Sequence, residues 1–503
     1  MPQFPPCRPP RRLAQDTLSD HRGRLQVPTY DRSALTPAVV HIGVGSFHRA
    51  HQLVYFDDLA QRRLTDGWGV RGVGLHHPAM KEALTPQDFL YTVVQRGATA
   101  QRARVVGAMI GYHFAPDDPE AVLAALADPR TRLVTLTITG GGYGLDPRTR
   151  ALDGTDPAVR ADLDRPDRPG TVPGYLVEAL TRRRAAGLLP FTVLSCDNLP
   201  RNGEAARAAV VGFAALRDPG LARWIDGAVS FPNSMVDRIT PETTPAERAA
   251  VAREIGVDDR WPVITEPFTQ WVVEDDFCAG RPPLDSVGVR FVPDVAAYEL
   301  MKTRLLNASH SALGYLGRLA GHRRTDEVLA DPVFAGYVAR LMGEEIAPLL
   351  PSPDGIDLAD YQRILLRRLA DPAIGDRLDR LCGRGSTKMP DYVLPSLVQA
   401  LAEDRPCQLL TLAVAGWLRY LRGVDMDGRP LEVRDALRDT LVPLARSAGT
   451  DPRPLLALRP LFGDLGRRAG FVEDLRTALK RLDRDGVRAT VAAYSAYDLA
   501  VSA

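Results

Sequence analysis

The chain has 503 residues, 45% of them hydrophobic and 25% charged, and its 63 Lys plus Arg nearly cancel 62 Asp plus Glu to a formal net charge of +1. That balance describes an ordinary globular protein, long enough for two cored domains, with no electrostatic reason to take nucleic acid or an anionic membrane as its main partner. Five scattered cysteines without a CxxC pair argue against a disulfide framework or a structural zinc site, and no run approaches the about eighteen apolar residues of a membrane span.

Residues 1–24, Pro- and Arg-rich and without an apolar leader core, are expected to form a disordered tail on a cytoplasmic protein. Ala38-Val-Val-His-Ile-Gly43-Val-Gly45-Ser-Phe47-His48-Arg49-Ala-His51 reads as a short apolar strand entering a Gly-x-Gly turn, and helical spacing continues from Gln52. Strand, glycine turn and helix in that order let a backbone approach a dinucleotide pyrophosphate at a helix N-terminus. His48 stands at the third glycine position, so a tight turn at a sheet edge is an equal reading. A second strand, residues 68–75, runs into His76-His77 where an acid would grip an adenosine ribose, which leaves NAD and NADP both open.

Further strands at 91–94, 105–110, 133–139 and 191–195 alternate with helical spacing, the pattern of an open α/β sheet. The last two end in Gly140-Gly-Gly142-Tyr143 and Cys196-Asp197-Asn198. Both endings fall on the strand edge where such sheets bind ligands. Asn198 is thus a ligand contact or the cap of a helix starting near Gly203. Segments 230–241 and 264–275 read as dense polar loops.

From about Asp294 the pattern is helical almost throughout. Residues 298–317 predict one amphipathic helix, on which Asn307 lies about 140° and His310 about 80° round from Lys302. Only four lysines occur (Lys81, Lys302, Lys388, Lys480) and only four asparagines (Asn198, Asn202, Asn233, Asn307). Scarcity of this kind looks like a coding bias against both residues, and its survivors are candidates for positions where chemistry forbids replacement, although a few lysines must fall somewhere. Arginine cannot release a proton at accessible pH, whereas a desolvated lysine can serve as a base, so Lys302 is a candidate general base. Arg380 and the segment from Arg384 to Lys388 and Pro390 form a basic break between helices, suited to gripping hydroxyls or to lying in solvent. Tyr298-x-x-x-Lys302 also matches the Tyr/Lys pair of short-chain dehydrogenases. Its position far downstream of the glycine turn, opening a separate helical domain, argues against that assignment.

Gly43-Val-Gly-Ser-Phe-His-Arg-Ala-His51, Ser195-Cys-Asp-Asn-Leu-Pro200, Ser230-Phe-Pro-Asn-Ser-Met-Val-Asp-Arg-Ile-Thr-Pro241, Thr265-Glu-Pro-Phe-x-Gln-Trp271 and Lys302-x4-Asn307-x2-His310 together resemble the polyol-specific long-chain dehydrogenases. The resemblance implies an α/β fold: a Rossmann-type doubly wound sheet over 25–293, a mostly α-helical domain over 294–503, a cleft between them as active site, and no metal. It implies NAD-linked interconversion of D-mannitol and D-fructose, with fructuronate or tagaturonate reduction as the alternative, in a protein expected to be a monomer. Lys302 would be the base, Asn198 and Asn307 the donors to the reacting oxygen, His310 a further contact to it, Asp237, Arg380 and Lys388 the grip on distal hydroxyls, and Glu299 the link for proton exchange. Gly43, Gly45, Phe47, His48, Arg49 and His76 would serve the cofactor. Two departures stand out: His76 replaces the family's ribose-reading acid, and Gly140 stands where Glu is frequent. A non-catalytic sugar or nucleotide sensor is the reading from another class.

Overall fold

The computed structural model describes residues 10–98 and 100–496. Its contacts divide the chain into two units, Met1–Ala296 and Ala297–Ala503, within a few residues of the expected change at 294.

Five parallel strands form the main sheet of the first unit: β1 (Val39–Ile42), β2 (Val70–Gly74), β3 (Met109–Phe114), β4 (Leu133–Leu136) and β5 (Thr192–Ser195), in the order β3-β2-β1-β4-β5. Both faces are covered. Val40, Ile42, Leu136 and Val193 pack under the helices Pro119–Ala127, Val172–Ala185 and Asn202–Arg217. Val39, Val70, Leu133 and Leu194 face the opposite core, with Leu53 and Phe56. Burial on two sides explains why these strands read as nearly unbroken apolar runs. The order reverses between β1 and β4, so the carboxyl ends of those strands flank the topological switch point.

Two expectations are corrected in this unit. Described residues before 25 form structure: exposed Arg11–Arg12 pairs with Val257–Asp258, and Leu13, Leu18 and Leu25 share a small core with Val251 and Ile255. Widely spaced leucines anchor a segment whose Pro and Arg content suggested disorder; residues 1–9 lie outside the described residues. The two polar loops each carry a strand, Ser234–Asp237 pairing antiparallel with Gln270–Glu274. Met235, Val236, Trp271, Val272 and Val273 are the buried residues that hold this pair.

The second unit is helical. The expected helix over 298–317 is broken into α-helix Ala296–Met301, a π-helical turn Lys302–Asn307, and a longer helix, Ala308–Leu319. Two further π turns, Leu341–Ile346 and Met389–Val393, both touch the first. Glu345 on one of them is buried and accepts the Leu409 and Leu410 amides at 2.8 Å each, capping the helix Gln408–Tyr420. Glycines let Ala308–Leu319 lie close against Leu378–Cys382: a Cβ on Gly314 would stand 3.1 Å from Leu381 Cβ, and one on Gly317 would stand 2.9 Å from Leu378 Cδ1. Toward the C-terminus run the helices Arg438–Ala448, Ala469–Asp485 and Val487–Ser495.

Candidate active site

The switch-point turn begins at Gly43, which leaves β1 at φ +98°. A Cβ there would overlap the Thr137 carbonyl oxygen, while the Thr137 hydroxyl donates to Gly43 O at 2.7 Å. Gly45 then caps the short helix Ser46–Ala50 with open backbone around it: its Cβ would meet only Gly43 O, at 3.8 Å. Gly43→Ala is expected to cost about 2–4 kcal/mol in urea unfolding, because a β-carbon meets both a strained backbone and a carbonyl wall. Gly45→Ala is expected to unfold like wild type.

Phe47 is partly exposed and stacks on His51, ring centroids 4.9 Å apart. His48 and Arg49 differ, with only 1% and 0% of their surface accessible. His48 stacks on His41, which the Thr135 and Thr137 hydroxyls hold at 2.7 and 2.9 Å. Arg49 lies over the Tyr91 ring and donates to the Trp261 carbonyl. Side chains without accessible surface offer a ligand nothing to touch. The expectation of direct cofactor contact from His48 and Arg49 is therefore corrected to support of the turn from beneath. Burial pushes the His41 imidazole down to about 3 and His48 well below its ordinary value, so the stack is neutral. His76 is exposed just beyond β2.

Beyond β4, Thr139 adopts φ +62° and ψ 167°, a region otherwise left to glycine. The Asp197 carboxylate holds it there, accepting Ile138 N at 3.0 Å, Thr139 N at 2.8 Å and the Tyr143 hydroxyl at 2.7 Å. Asn198 follows, exposed beyond the end of β5. The cap of Asn202–Arg217 belongs to Asn233, whose Oδ1 accepts Gly203 N at 2.9 Å. Asn202 donates to Asp197 O at 3.0 Å and Ser234 O at 2.8 Å, clasping the β5 edge to Ser234–Asp237. Asp237, 3% exposed, ends that strand. A Cβ at Gly140 would meet only Leu199 Cδ2, at 3.4 Å, so packing does not demand a glycine where the family often carries Glu.

In the second unit Lys302 and Asn307 are each 8% exposed and bracket the π turn. An i→i+5 ladder covers five residues in little more than one turn, so winding draws together two side chains that an α-helix would set about 140° apart. Asn307 Nδ2 is buried without a hydrogen-bond partner among the described residues, a donor whose capacity the protein leaves unused. His310 follows, half-buried on the next turn, and Glu299 precedes Lys302, partly exposed. Tyr298 is buried and donates to Asp354 O at 2.8 Å, a packing role. Arg380 and Lys388 sit at one helix end: Lys388 Nζ donates to Arg380 O at 3.2 Å and Leu381 O at 2.9 Å. Burial, then the charges of Arg380 and Arg384, push the Lys388 ammonium down to about 8. The reading from sequence passed over Asp376, which holds the Arg380 guanidinium. Its i,i+4 spacing to Arg380 was the available signal. Among the described residues, no group of three His, Cys, Asp or Glu could hold a metal ion, and no helix is long and apolar enough to cross a membrane.

Residues 37–286 match the mannitol dehydrogenase Rossmann domain and residues 294–483 the mannitol dehydrogenase C-terminal domain. Mannitol 2-dehydrogenase of Aspergillus fumigatus is 45% identical over 479 residues, covering 93% of this chain and 95% of that protein. The chain belongs to the mannitol dehydrogenase family. A Saccharomyces cerevisiae mannitol dehydrogenase is also 45% identical, over 95% of this chain and 96% of its own length. Among solved structures, the Pseudomonas fluorescens mannitol 2-dehydrogenase ternary complex with NAD and D-mannitol superposes with a TM-score of 0.88 at 40% identity, covering 96% of this chain and 99% of that one. D-sorbitol dehydrogenase in substrate-free form gives 0.87 at 36% identity, covering 95% and 100%.

Proposed function

We propose that this member of the mannitol dehydrogenase family is a metal-independent, NAD-linked dehydrogenase that oxidises D-mannitol to D-fructose and catalyses the reverse reduction. The observation that carries the reading is the π turn bracketed by buried Lys302 and by Asn307, whose buried amide nitrogen has no hydrogen-bond partner among the described residues. Relatives named for mannitol over nearly the whole chain, one of them complexed with NAD and D-mannitol, support it.

The open backbone at Gly45 and the turn at Gly43 fit a dinucleotide, with Phe47 and His76 as further contacts. Bound nicotinamide would supply the acceptor for the hydride leaving the carbinol carbon. Lys302 Nζ takes the hydroxyl proton from the oxygen on that carbon. Asn307 Nδ2 donates to the oxygen as negative charge develops on it, Asn198 supplies a second amide donor, and His310 contacts the same oxygen or its neighbour. Glu299, one turn before the base, exchanges the proton with solvent. Asp237, Arg380 and Lys388 hold the distal hydroxyls.

Arg380 already has its charge matched by Asp376, which suits it to a hydroxyl better than to a second carboxylate and favours a polyol over a hexuronate. The D-sorbitol dehydrogenase likeness makes D-sorbitol the second substrate to assay. Initial reduction rates of fructose and fructuronate with NADH and NADPH test the reading. Fructose with NADH is expected to be fastest, and measurable NADPH use follows from the missing acid at His76. Turnover of fructuronate in preference to fructose would overturn it. A pH series adds a second check: the Lys388 ammonium is lost as pH rises through about 8, so the polyol KM is expected to rise about threefold by pH 9. Lys388→Arg, which stays charged, is expected to abolish that rise.

A further inference from the structure

We propose that Asp376 is a positioning residue of this enzyme, the buried carboxylate that aims the Arg380 guanidinium at the distal hydroxyls of the substrate. The inference rests on the polyol reading above and deepens it.

The pair is asymmetric. Arg380 keeps half of its side-chain surface, 50%, open to water, while the Asp376 side chain keeps 3%. Asp376 is thus closed to a substrate and can act only through what it holds. It accepts Arg380 Nε on Oδ1 at 2.8 Å and Nη2 on Oδ2, a two-point grip that fixes the plane of the guanidinium as well as its place. One edge of the fork is committed to the acid, so the surface Arg380 presents to water is the rest of it.

The backbone that carries this carboxylate is held from behind. Gly375 precedes it at φ +54°, and a Cβ there would overlap the Arg324 guanidinium. Arg324 is anchored by Asp326 Oδ1 at 3.0 Å and Pro372 O at 2.7 Å. The Asp376 carbonyl accepts Thr325 N at 3.0 Å. Charge completes the case. Arg380 and Lys388 share one helix end, with Lys388 bonded to the Arg380 carbonyl, an arrangement of like charges that calls for a nearby anion. Burial pushes the Asp376 carboxyl up, and the Arg380 charge and bond, with a smaller contribution from His310, outweigh it and hold the carboxyl below the usual range. One buried acid is therefore coupled to three side chains assigned to the substrate.

The test is steady-state kinetics of D-mannitol oxidation on Asp376→Asn, Arg380→Ala and the double variant. Asp376→Asn keeps the shape and removes the charge, and it is expected to raise the polyol KM about tenfold with kcat within about twofold of wild type. In the Arg380→Ala background the same change is expected to add less than about twofold, because its effect runs through the guanidinium. If Arg380→Ala leaves KM unchanged, the hydroxyl grip assigned to Arg380 fails. If Arg380→Ala raises KM and folded Asp376→Asn does not, or if the two effects multiply, Asp376 has no positioning role. Should Asp376→Asn fail to fold, Arg380→Lys probes the same fork from its other side. Lysine keeps the charge but cannot make the two-point bond, so an unchanged KM there would overturn the proposal and a rise of about tenfold supports it.

Discussion

Lys302→Ala is expected to lower kcat for D-mannitol oxidation by about 10³-fold, roughly 4 kcal/mol of transition-state stabilisation, while KM stays within about threefold of wild type. The lysine is 8% exposed, so its amine is held by the surrounding unit and gains little from water. Its predicted contribution is acceptance of a proton at the moment hydride leaves. Lys302→Arg separates that role from plain charge. Arginine keeps the cation but cannot accept the proton at accessible pH, so its kcat is expected to fall about as far as that of the alanine variant. A loss confined to KM in either variant would refute the base assignment.

Asn307→Ala carries the second large effect, a fall in kcat of about 10²-fold, near 2.7 kcal/mol, the cost of removing one preorganised donor from a developing oxyanion. Asn307→Asp should be worse, because a carboxylate would face the alkoxide. Stability separates this asparagine from its neighbours in rarity. Asn307 Nδ2 has no hydrogen-bond partner among the described residues, so its removal strands no protein acceptor. Asn202→Ala breaks bonds to the Asp197 and Ser234 carbonyls and is expected to cost about 2 kcal/mol in denaturant unfolding. If Asn307→Ala lowers stability more than kcat, its role is structural.

The scarcity of lysine and asparagine pointed at positions that resist replacement, and the structure separates two reasons for resistance. Asn202 and Asn233 are buried or partly buried clasps between chain segments, whereas the Asn307 amide nitrogen is buried with no hydrogen-bond partner among the described residues. Likewise Lys81 makes an ion pair in which both partners are exposed, with Asp117 at 2.6 Å, and Lys480 is exposed, while Lys302 is buried. The parallel sheet was legible because strands covered on both faces leave continuous apolar runs. The π turn was not legible. No residue type in Lys302–Asn307 marks an i→i+5 winding, and only the backbone ladder reveals it. His48 and Arg49 were misread for a related reason: a motif marks which residues build a turn, not which of them face outward. Asp376 stood out less than Arg380 and Lys388 in the sequence because its pairing with Arg380 shows only in the fold.

The most direct test of the proposed function is the nicotinamide absorbance change when the purified protein is given NAD and D-mannitol, with the product identified. Steady NADH formation, equimolar D-fructose, and loss of both in Lys302→Ala are the expected results. An absence of NAD reduction with D-mannitol and D-sorbitol by folded protein, or NAD reduction that Lys302→Ala leaves intact, would contradict it.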